Sequence, residues 1–326
     1  MFVKMSTKQN SFVSSISEFV IVAFQVIYIV IRSCMANLLW FVDKNYKGIQ
    51  DDVVLITGGG QGIGRQLAVE FAKHKPKQII LWGISEDRLA ATATAVSLHR
   101  VPCQYMICDV SDRQQVVAKA KKVQELFGRV DILVNNAGIV FGNSFVDSVP
   151  EEVKKTVSVN TLGQIWMMKA FVPDMIDRNH GHIVSMNSML GLMGLAGAAD
   201  YAASKHALTG YMESLQVELV SEKKMGVHIT SVHPYMVDTG MFAGCTTRFP
   251  WIFPELHKEY VATKILEAVL TNQPVLLLPR VMYLAVVAKS ILPVEAVLLL
   301  YRYVGVDCSM DSFHGNKNKP ITEKSD

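Results

Sequence analysis

Tyr201 and Lys205 stand four residues apart in the segment YAASK, and Ser188 lies thirteen residues before Tyr201. On a helix, that spacing puts a phenol and an ammonium on one face, one turn apart. A nearby cation favours the ionised form of an acid, and a serine hydroxyl can hold an oxygen beside it. Such a trio suits proton transfer to or from an oxygen. A glycine-rich run, TGGGQGIG over 57–64, suggests where a dinucleotide binds. Together they point to proton transfer coupled to hydride transfer at an alcohol or ketone carbon.

These residues need a scaffold, and the hydrophobic pattern supplies one. Short apolar runs at 52–57, 78–82, 104–108, 131–134, 182–186, 227–232 and 275–278 read as strands. Helical patterns fill the gaps at 61–74, from 85, at 112–127, 150–178, 202–223 and 257–270. In the first of these, Ile63, Leu67 and Phe71 share a face. Alternation of this kind predicts an α/β fold, a Rossmann-type doubly wound parallel sheet of about seven strands with helices on both faces.

The glycine run sits where this fold uses one, after a strand and before a helix. Gly58 allows a tight turn, Gly62 lets backbone approach a pyrophosphate, and Gly64 lets helix and strand pack closely. The helix start then offers N–H groups and dipole charge to phosphates. The spacing is T-G-x-x-x-G-x-G rather than G-x-G-x-x-G.

The ordered set of motifs resembles the short-chain dehydrogenase/reductase family from about Asp52 to Pro279. The matching segments are TGGGQGIG at 57–64, CDV at 108–110, NNAG at 135–138, Asn160 in SVNTLG, Ser188, and YAASK at 201–205. The apolar N-terminus, RNHGHIV at 178–184, and KSILPVEA and MDSFHG near the end are similar to the membrane-bound retinol and 17β-hydroxysteroid dehydrogenase branch. The resemblance implies that Tyr201 is the general acid/base, that Lys205 lowers its pKa and holds the nicotinamide ribose, that Ser188 orients the substrate oxygen, and that Asn160 positions a water in a relay toward Lys205. It implies cofactor contacts from Gly58, Gln61, Gly62, Ile63 and Gly64, from Asp109 (to adenine) and Val110, and from Asn136, Ala137 and Gly138 under the ribose. Tyr201, Lys205, Pro234, Val237 and Thr239 complete that set, and Asn135 is expected to tie neighbouring strands.

Two positions depart from the family pattern. Tyr235 follows Pro234 where glycine is common. Gly83 ends the second strand where NAD-preferring relatives carry an aspartate that pairs with the ribose and repels a 2′-phosphate. The residue before the second motif glycine, basic in many NADP binders, is Gln61; Arg65 and Arg88 lie nearby but are not diagnostic. The branch favours NAD, and Gly83 keeps NADP open.

The rest of the chain bounds the setting. A chain of 326 residues with net charge +3 gives no reason to expect a nucleic-acid partner. Five cysteines without metal spacing or a C-x-x-C pair suit a reducing compartment, so the catalytic domain is expected to face the cytosol. His180, His182, His206 and His233 show no ligand spacing, and no metal is expected. Half the residues are hydrophobic, with the excess at the two ends. The run 19–31 is apolar except for Gln25; as a helix it is about 20 Å long against about 30 Å of bilayer hydrocarbon. Ser11, Glu18, Gln25 and Arg32 form a polar seam, so 1–42 reads as an uncleaved membrane anchor, with a cleaved signal peptide or a packed soluble helix as alternatives.

Residues 43–50 read as a polar linker and 51–280 as the dehydrogenase-like domain. Residues 281–308, broken by Pro293, read as an apolar membrane and substrate lobe, with a buried helix pair as the alternative; 309–326 read as a polar tail. The aromatic segment 241–254 and the 274–306 region suggest a mouth for a lipophilic alcohol, retinol before a hydroxysteroid. The expected location is the endoplasmic reticulum membrane or a lipid droplet, and the family resemblance allows a homo-oligomer. An NADP-dependent carbonyl reductase and a non-catalytic lipid-surface protein are the competing readings.

Overall fold

The structure, a computed structural model, describes Ser17, residues 19–29, residue 31 and residues 46–315. Seven strands form one parallel sheet: β1 (Val53–Thr57), β2 (Gln78–Gly83), β3 (Cys103–Ile107), β4 (Ile132–Asn135), β5 (Gly181–Met186), β6 (Val227–Pro234) and β7 (Val275–Leu278). Their order is β3-β2-β1-β4-β5-β6-β7. The chain reverses its direction of travel between β1 and β4, and a crevice opens there at the carboxyl ends of the strands.

Strand alternation divides the core into two layers. Val54 and Ile56 face α1 (Gly62–Lys73), α2 (Glu86–Ser97) and α7 (Lys258–Leu270). Val53 and Leu55 face α3 (Arg113–Phe127), α5 (Gly163–Arg178) and α6 (Ala199–Ser221). Asp112 caps α3 by accepting from the Gln114 and Gln115 N–H groups. The single helix expected over 150–178 is α4 (Pro150–Val157) joined to α5 by a π-helical turn, Ser158–Leu162. Periodicity cannot reveal that turn, because one extra residue leaves the apolar pattern nearly intact.

Three boundaries differ from the sequence reading. Residues 46–50 are docked on the domain: Ile49 is buried in the core, and Lys47 Nζ lies 2.8 Å from His182 Nδ1 and donates to Asn272 Oδ1 at 2.9 Å. Polar composition concealed that single apolar plug. Helix α6 begins three residues earlier than expected, so Tyr201 lies in its first turn. The tail is ordered against the domain as far as Gly315, with Ser309, Met310 and Phe313 buried. Residues 316–326 lie outside the described residues.

Beyond β7, helices α8 (Met282–Ile291) and α9 (Val294–Val304) form the expected broken apolar region, with Pro293 as the N-cap of α9. Met282 is the only one of their residues that is fully buried. In the N-terminal unit, residues 19–29 are helical and present exposed apolar side chains, including Phe19, Phe24 and Ile27. No helix among the described residues is long and apolar enough to cross a membrane. Most of the remaining 1–42 segment lies outside the described residues.

Candidate active site

The glycine turn between β1 and α1 is built for close approach. Gly58 adopts φ +64°. A methyl group at Gly64 would overlap the Gly58 carbonyl oxygen, so only glycine lets α1 start this near the strand. Gln61, the N-cap of α1, makes no side-chain cap bond. The first-turn N–H groups therefore have no side-chain cap and face the crevice as an anion site. Thr239 closes the turn from the other side, 3.3 Å from where a Gly62 Cβ would stand. These features fit a dinucleotide pyrophosphate.

The NNAG segment is pinned to the same turn. Thr57 Oγ1 accepts from the N–H groups of Asn136 and Ala137 at 3.0 and 3.1 Å, and Asn136 Nδ2 donates to Thr57 O at 2.9 Å. Asn136, not Asn135, ties the strands together. The Asn135 side chain is buried and neither end of its amide finds a partner, which corrects the role expected for it. The next residues lead to the chemistry: a Cβ on Gly138 would lie 3.3 Å from Asn160 Oδ1 and 3.8 Å from Lys205 Nζ.

Ser188, Tyr201, Lys205 and Asn160 converge beyond the ends of β4 and β5. The Ser188 hydroxyl lies close enough to the Tyr201 phenol to favour its ionised form. Lys205 Nζ lies 5.6 Å from the Tyr201 ring centroid and donates to Met186 O at 2.7 Å. Asn160 sits within the π-helical turn. Its amide donates to Ile139 O and Ser204 Oγ and accepts from Ile139 N at 2.8 Å. Both ends of that side chain are thus occupied, and any water it orders would meet its backbone rather than its amide.

Electrostatics differ from the sequence expectation in one respect. Burial pushes the Tyr201 phenol up to about 12, opposed only by the nearby Ser188 hydroxyl, and burial pushes the Lys205 ammonium down to about 7. Burial disfavours the charged form of both groups.

Several supporting residues carried no sequence signal. Gln164 Nε2 donates to Met186 O at 3.2 Å, and Ser185, whose spacing to Tyr201 does not fit the catalytic pattern, donates to Gln164 Oε1 at 2.8 Å. His233 Nδ1 lies 3.0 Å from Ser188 O, and burial lowers its pKa to about 4, so it is a neutral brace. His182 and His206 are likewise hydrogen-bonded, to Thr230 Oγ1 and Ala202 O. His180 approaches Asp52 and Asp131 closely enough to suggest a cation cluster, but Arg129 and Arg178 already hold Asp131 at 3.0 and 3.1 Å.

The outer cofactor set is mixed. The Asp109 carboxylate is occupied by Ser111 and Lys155, the latter at 3.1 Å. Its pKa is lowered by these partners although burial, the largest influence, acts in the opposite direction. The Val110 side chain is buried against Gly163, Ile63 packs on the core, and Val237 bridges to Leu256. Pro234 ends β6 and, with Tyr235, lines an apolar cavity instead of framing a bare glycine turn. Arg88, at a position that is not diagnostic in the sequence, hydrogen-bonds Gln61 Oε1 and covers Gly60.

The cavity of about 240 Å³ begins at Ser188 and runs outward between Met189, Tyr235, Phe242, Phe253 and one face of α8 and α9. Along α9 the lining residues Val297, Leu300, Tyr301 and Val304 recur at helical spacing. The apolar cavity therefore reaches the cluster at Ser188.

Known proteins resemble this chain in sequence and fold. The short chain dehydrogenase family profile matches residues 52–248. Human short-chain dehydrogenase/reductase 3 is 42% identical over 89% of this chain and 95% of its own. Epidermal retinol dehydrogenase 2 of Mus musculus is 40% identical over 87% and 92%. Retinol dehydrogenase 10 of Rattus norvegicus is 38% identical over 91% and 94%. Among solved structures, a short chain dehydrogenase/reductase from Burkholderia phymatum in complex with NAD is 26% identical with a TM-score of 0.68, covering 78% of this chain and 96% of that one. An alcohol dehydrogenase from Thermococcus sibiricus complexed with 5-hydroxy-NADP is also 26% identical with a TM-score of 0.62, covering 70% and 95%. With the glycine turn, the sheet order and the Ser188/Tyr201/Lys205 cluster in place, the chain belongs to the short-chain dehydrogenase/reductase family and is an NAD(P)-dependent oxidoreductase.

Proposed function

We propose that the protein interconverts a lipophilic alcohol and its aldehyde or ketone, with retinol and retinal first and a hydroxysteroid next. The observation that carries this reading is the apolar channel ending on Ser188. The lining is mainly Met, Phe, Leu, Val and Ala, with Ser188, Thr246, Lys289 and Tyr301 as scattered polar groups, so it solvates a hydrocarbon skeleton better than a sugar. Relatives named retinol dehydrogenase support the same class.

In this reading Ser188 and Tyr201 hold the substrate oxygen. During oxidation the Tyr201 phenolate takes the hydroxyl proton. A nicotinamide held beside them would supply the hydride acceptor for the carbinol carbon. Lys205 holds the ribose and stabilises the phenolate, and Asn160 passes the proton outward through water. The glycine turn and the α1 start take the pyrophosphate.

NAD and NADP both suit the adenosine end. Gly83 offers no carboxylate to repel a 2′-phosphate, and Arg88 beside Gln61 supplies a cation. The Gly83 Cβ position lies 3.3 Å from Leu89 Cδ2, a flexible neighbour, so Gly83→Asp is tolerable. We expect it to raise the Kd ratio of NADP to NAD by ~10-fold or more, because the new carboxylate would pair with the ribose hydroxyls of NAD and repel the 2′-phosphate of NADP. Fluorescence titration with both reduced cofactors measures it, and an unchanged ratio removes Gly83 from cofactor choice.

A lipid surface is the proposed setting. The faces of α8 and α9 opposite the channel expose Leu284, Ile291, Val294, Leu299 and Tyr303, and Trp251 stands exposed on the loop between β6 and α7. The apolar helix at 19–29 adds a second attachment. The deciding experiment is a turnover screen in membranes with retinol, androgens and fatty alcohols, each with both cofactors. Turnover of a lipid alcohol with a long apolar body supports the reading; turnover only of small polar alcohols, or of nothing, overturns it.

A further inference from the structure

The stretch Ser309–Gly315, polar in composition, is folded back over the catalytic cluster. Thr246 N donates to Ser309 O at 3.0 Å, Ser309 Oγ returns a bond to Thr246 O at 2.7 Å, and His314 N donates to Ala243 O at 3.0 Å. These three bonds fasten the stretch to the loop that follows β6. Room has been made for it at three separate places. Gly142 has φ +74°, and a methyl group there would overlap the Phe313 ring. Gly244 has φ +87°, and a methyl group there would overlap the Ser312 carbonyl. At Gly197, with φ +75°, a Cβ would stand 3.1 Å from Met310 Cβ. None of these glycines belongs to the dinucleotide turn. The stretch ends in a row of rings directed at the chemistry. Phe313 lies 6.5 Å from Phe242, and Phe242 meets Tyr201 at 5.5 Å and 84°, a perpendicular pair in the favourable range. Tyr201, Met310 and Phe313 are buried together in one small cluster with Val140 and Ala198.

We infer that Phe313 is a positioning residue: the strap Ser309–Gly315 sets Phe242 against Tyr201, so that the catalytic ring keeps one orientation and stays out of contact with water. Tyr201 occupies the first turn of α6. Its ring packs edge-on against Phe242, and the strap backs Phe242 through Phe313 from outside the family-matched segment, which ends at residue 248. The inference rests on the proposed role of Tyr201 in catalysis, and its test includes a readout independent of turnover.

The full chain in membranes is compared with Phe313→Ala, Phe313→Tyr and Phe242→Leu, with NADH and NADPH binding as the check on folding. Phe313→Ala is expected to lower kcat by ~10- to ~100-fold through misplacement of the acid/base, while Kd for the cofactor stays within about twofold. Phe313→Tyr, which keeps the ring, is expected to restore kcat. Hydroxyl-radical footprinting read by mass spectrometry should find Tyr201 protected in the natural protein and exposed in Phe313→Ala, whether or not any substrate turns over. If Phe313→Ala loses cofactor binding, Phe242→Leu carries the test with the same expected changes in kcat and footprint. Unchanged Tyr201 protection, or a kcat equal to that of the natural protein in a folded variant, overturns the inference. An inactive natural protein with the expected footprint change would overturn the proposed substrate class and leave the strap standing.

Discussion

Replacing Tyr201 by phenylalanine is expected to lower kcat at least ~10³-fold in both directions, a loss of about 4 kcal/mol of transition-state stabilisation. The substitution removes one oxygen from a ring held by packing on Phe242 and the core around Val140, so the fold and the channel remain. Cofactor affinity should change little, because the pyrophosphate turn at 57–64 and the NNAG segment do not lean on the phenol. The measurement is kcat with the best lipid alcohol, alongside NADH binding and a thermal melt. A Tyr201→Phe protein that still oxidises alcohol at a comparable rate would take the proton role away from Tyr201.

Lys205→Ala should be nearly as damaging, by ~10²- to ~10⁴-fold in kcat/KM, but for a different reason. Lys205 is 3% exposed, and its ammonium donates to Met186 O, a carbonyl it shares with Gln164. Alanine removes the cation that the phenolate needs and leaves a hole beside Gly138, so the KM for cofactor should rise as well. That combined signature separates Lys205 from Tyr201, for which kcat alone should fall. An arginine does not substitute, since its bulk exceeds the space at Gly138 and its planar fork cannot occupy a lysine's site.

The same pair sets the pH dependence. A buried phenol raised to about 12 stays protonated through the neutral range, and a buried ammonium lowered to about 7 loses its proton as pH rises through neutrality. Carbonyl reduction uses protonated Tyr201 and charged Lys205, so its kcat/KM should be level below about pH 7 and decline above it. Alcohol oxidation uses the phenolate, so its kcat/KM should climb toward alkaline pH. Parallel profiles in the two directions would contradict this assignment of proton donor and acceptor.

Much of this was legible in the sequence. Buried parallel strands are short apolar runs, and the seven such runs became the seven strands, because their signal is local. The glycine turn and the YAASK helix were legible for a similar reason: backbone approach to a phosphate and one-turn spacing constrain residue types over a few positions. What stayed hidden depended on residues far apart in the chain. Asn135 and Asn136 are adjacent and identical in type, and only the placement of Thr57 makes the second the tie and leaves the first without a partner. The π-helical turn at Ser158–Leu162 had no composition cue. Arg88 had no diagnostic spacing, yet α2 brings it onto Gln61.

By itself the sequence determined the fold and the family and singled out the four residues proposed for the chemistry, since each is written in local pattern. The tertiary structure alone decided how those residues are charged and covered. Burial separated the pKa values of Tyr201 and Lys205 in directions that side-chain type does not reveal. Two apolar residues, Met310 and Phe313, carry part of the segment read as a polar tail into a buried cluster with Tyr201. The physical reason is common to both: desolvation and packing depend on what long-range folding brings within a few ångströms, and no window along the chain contains that information.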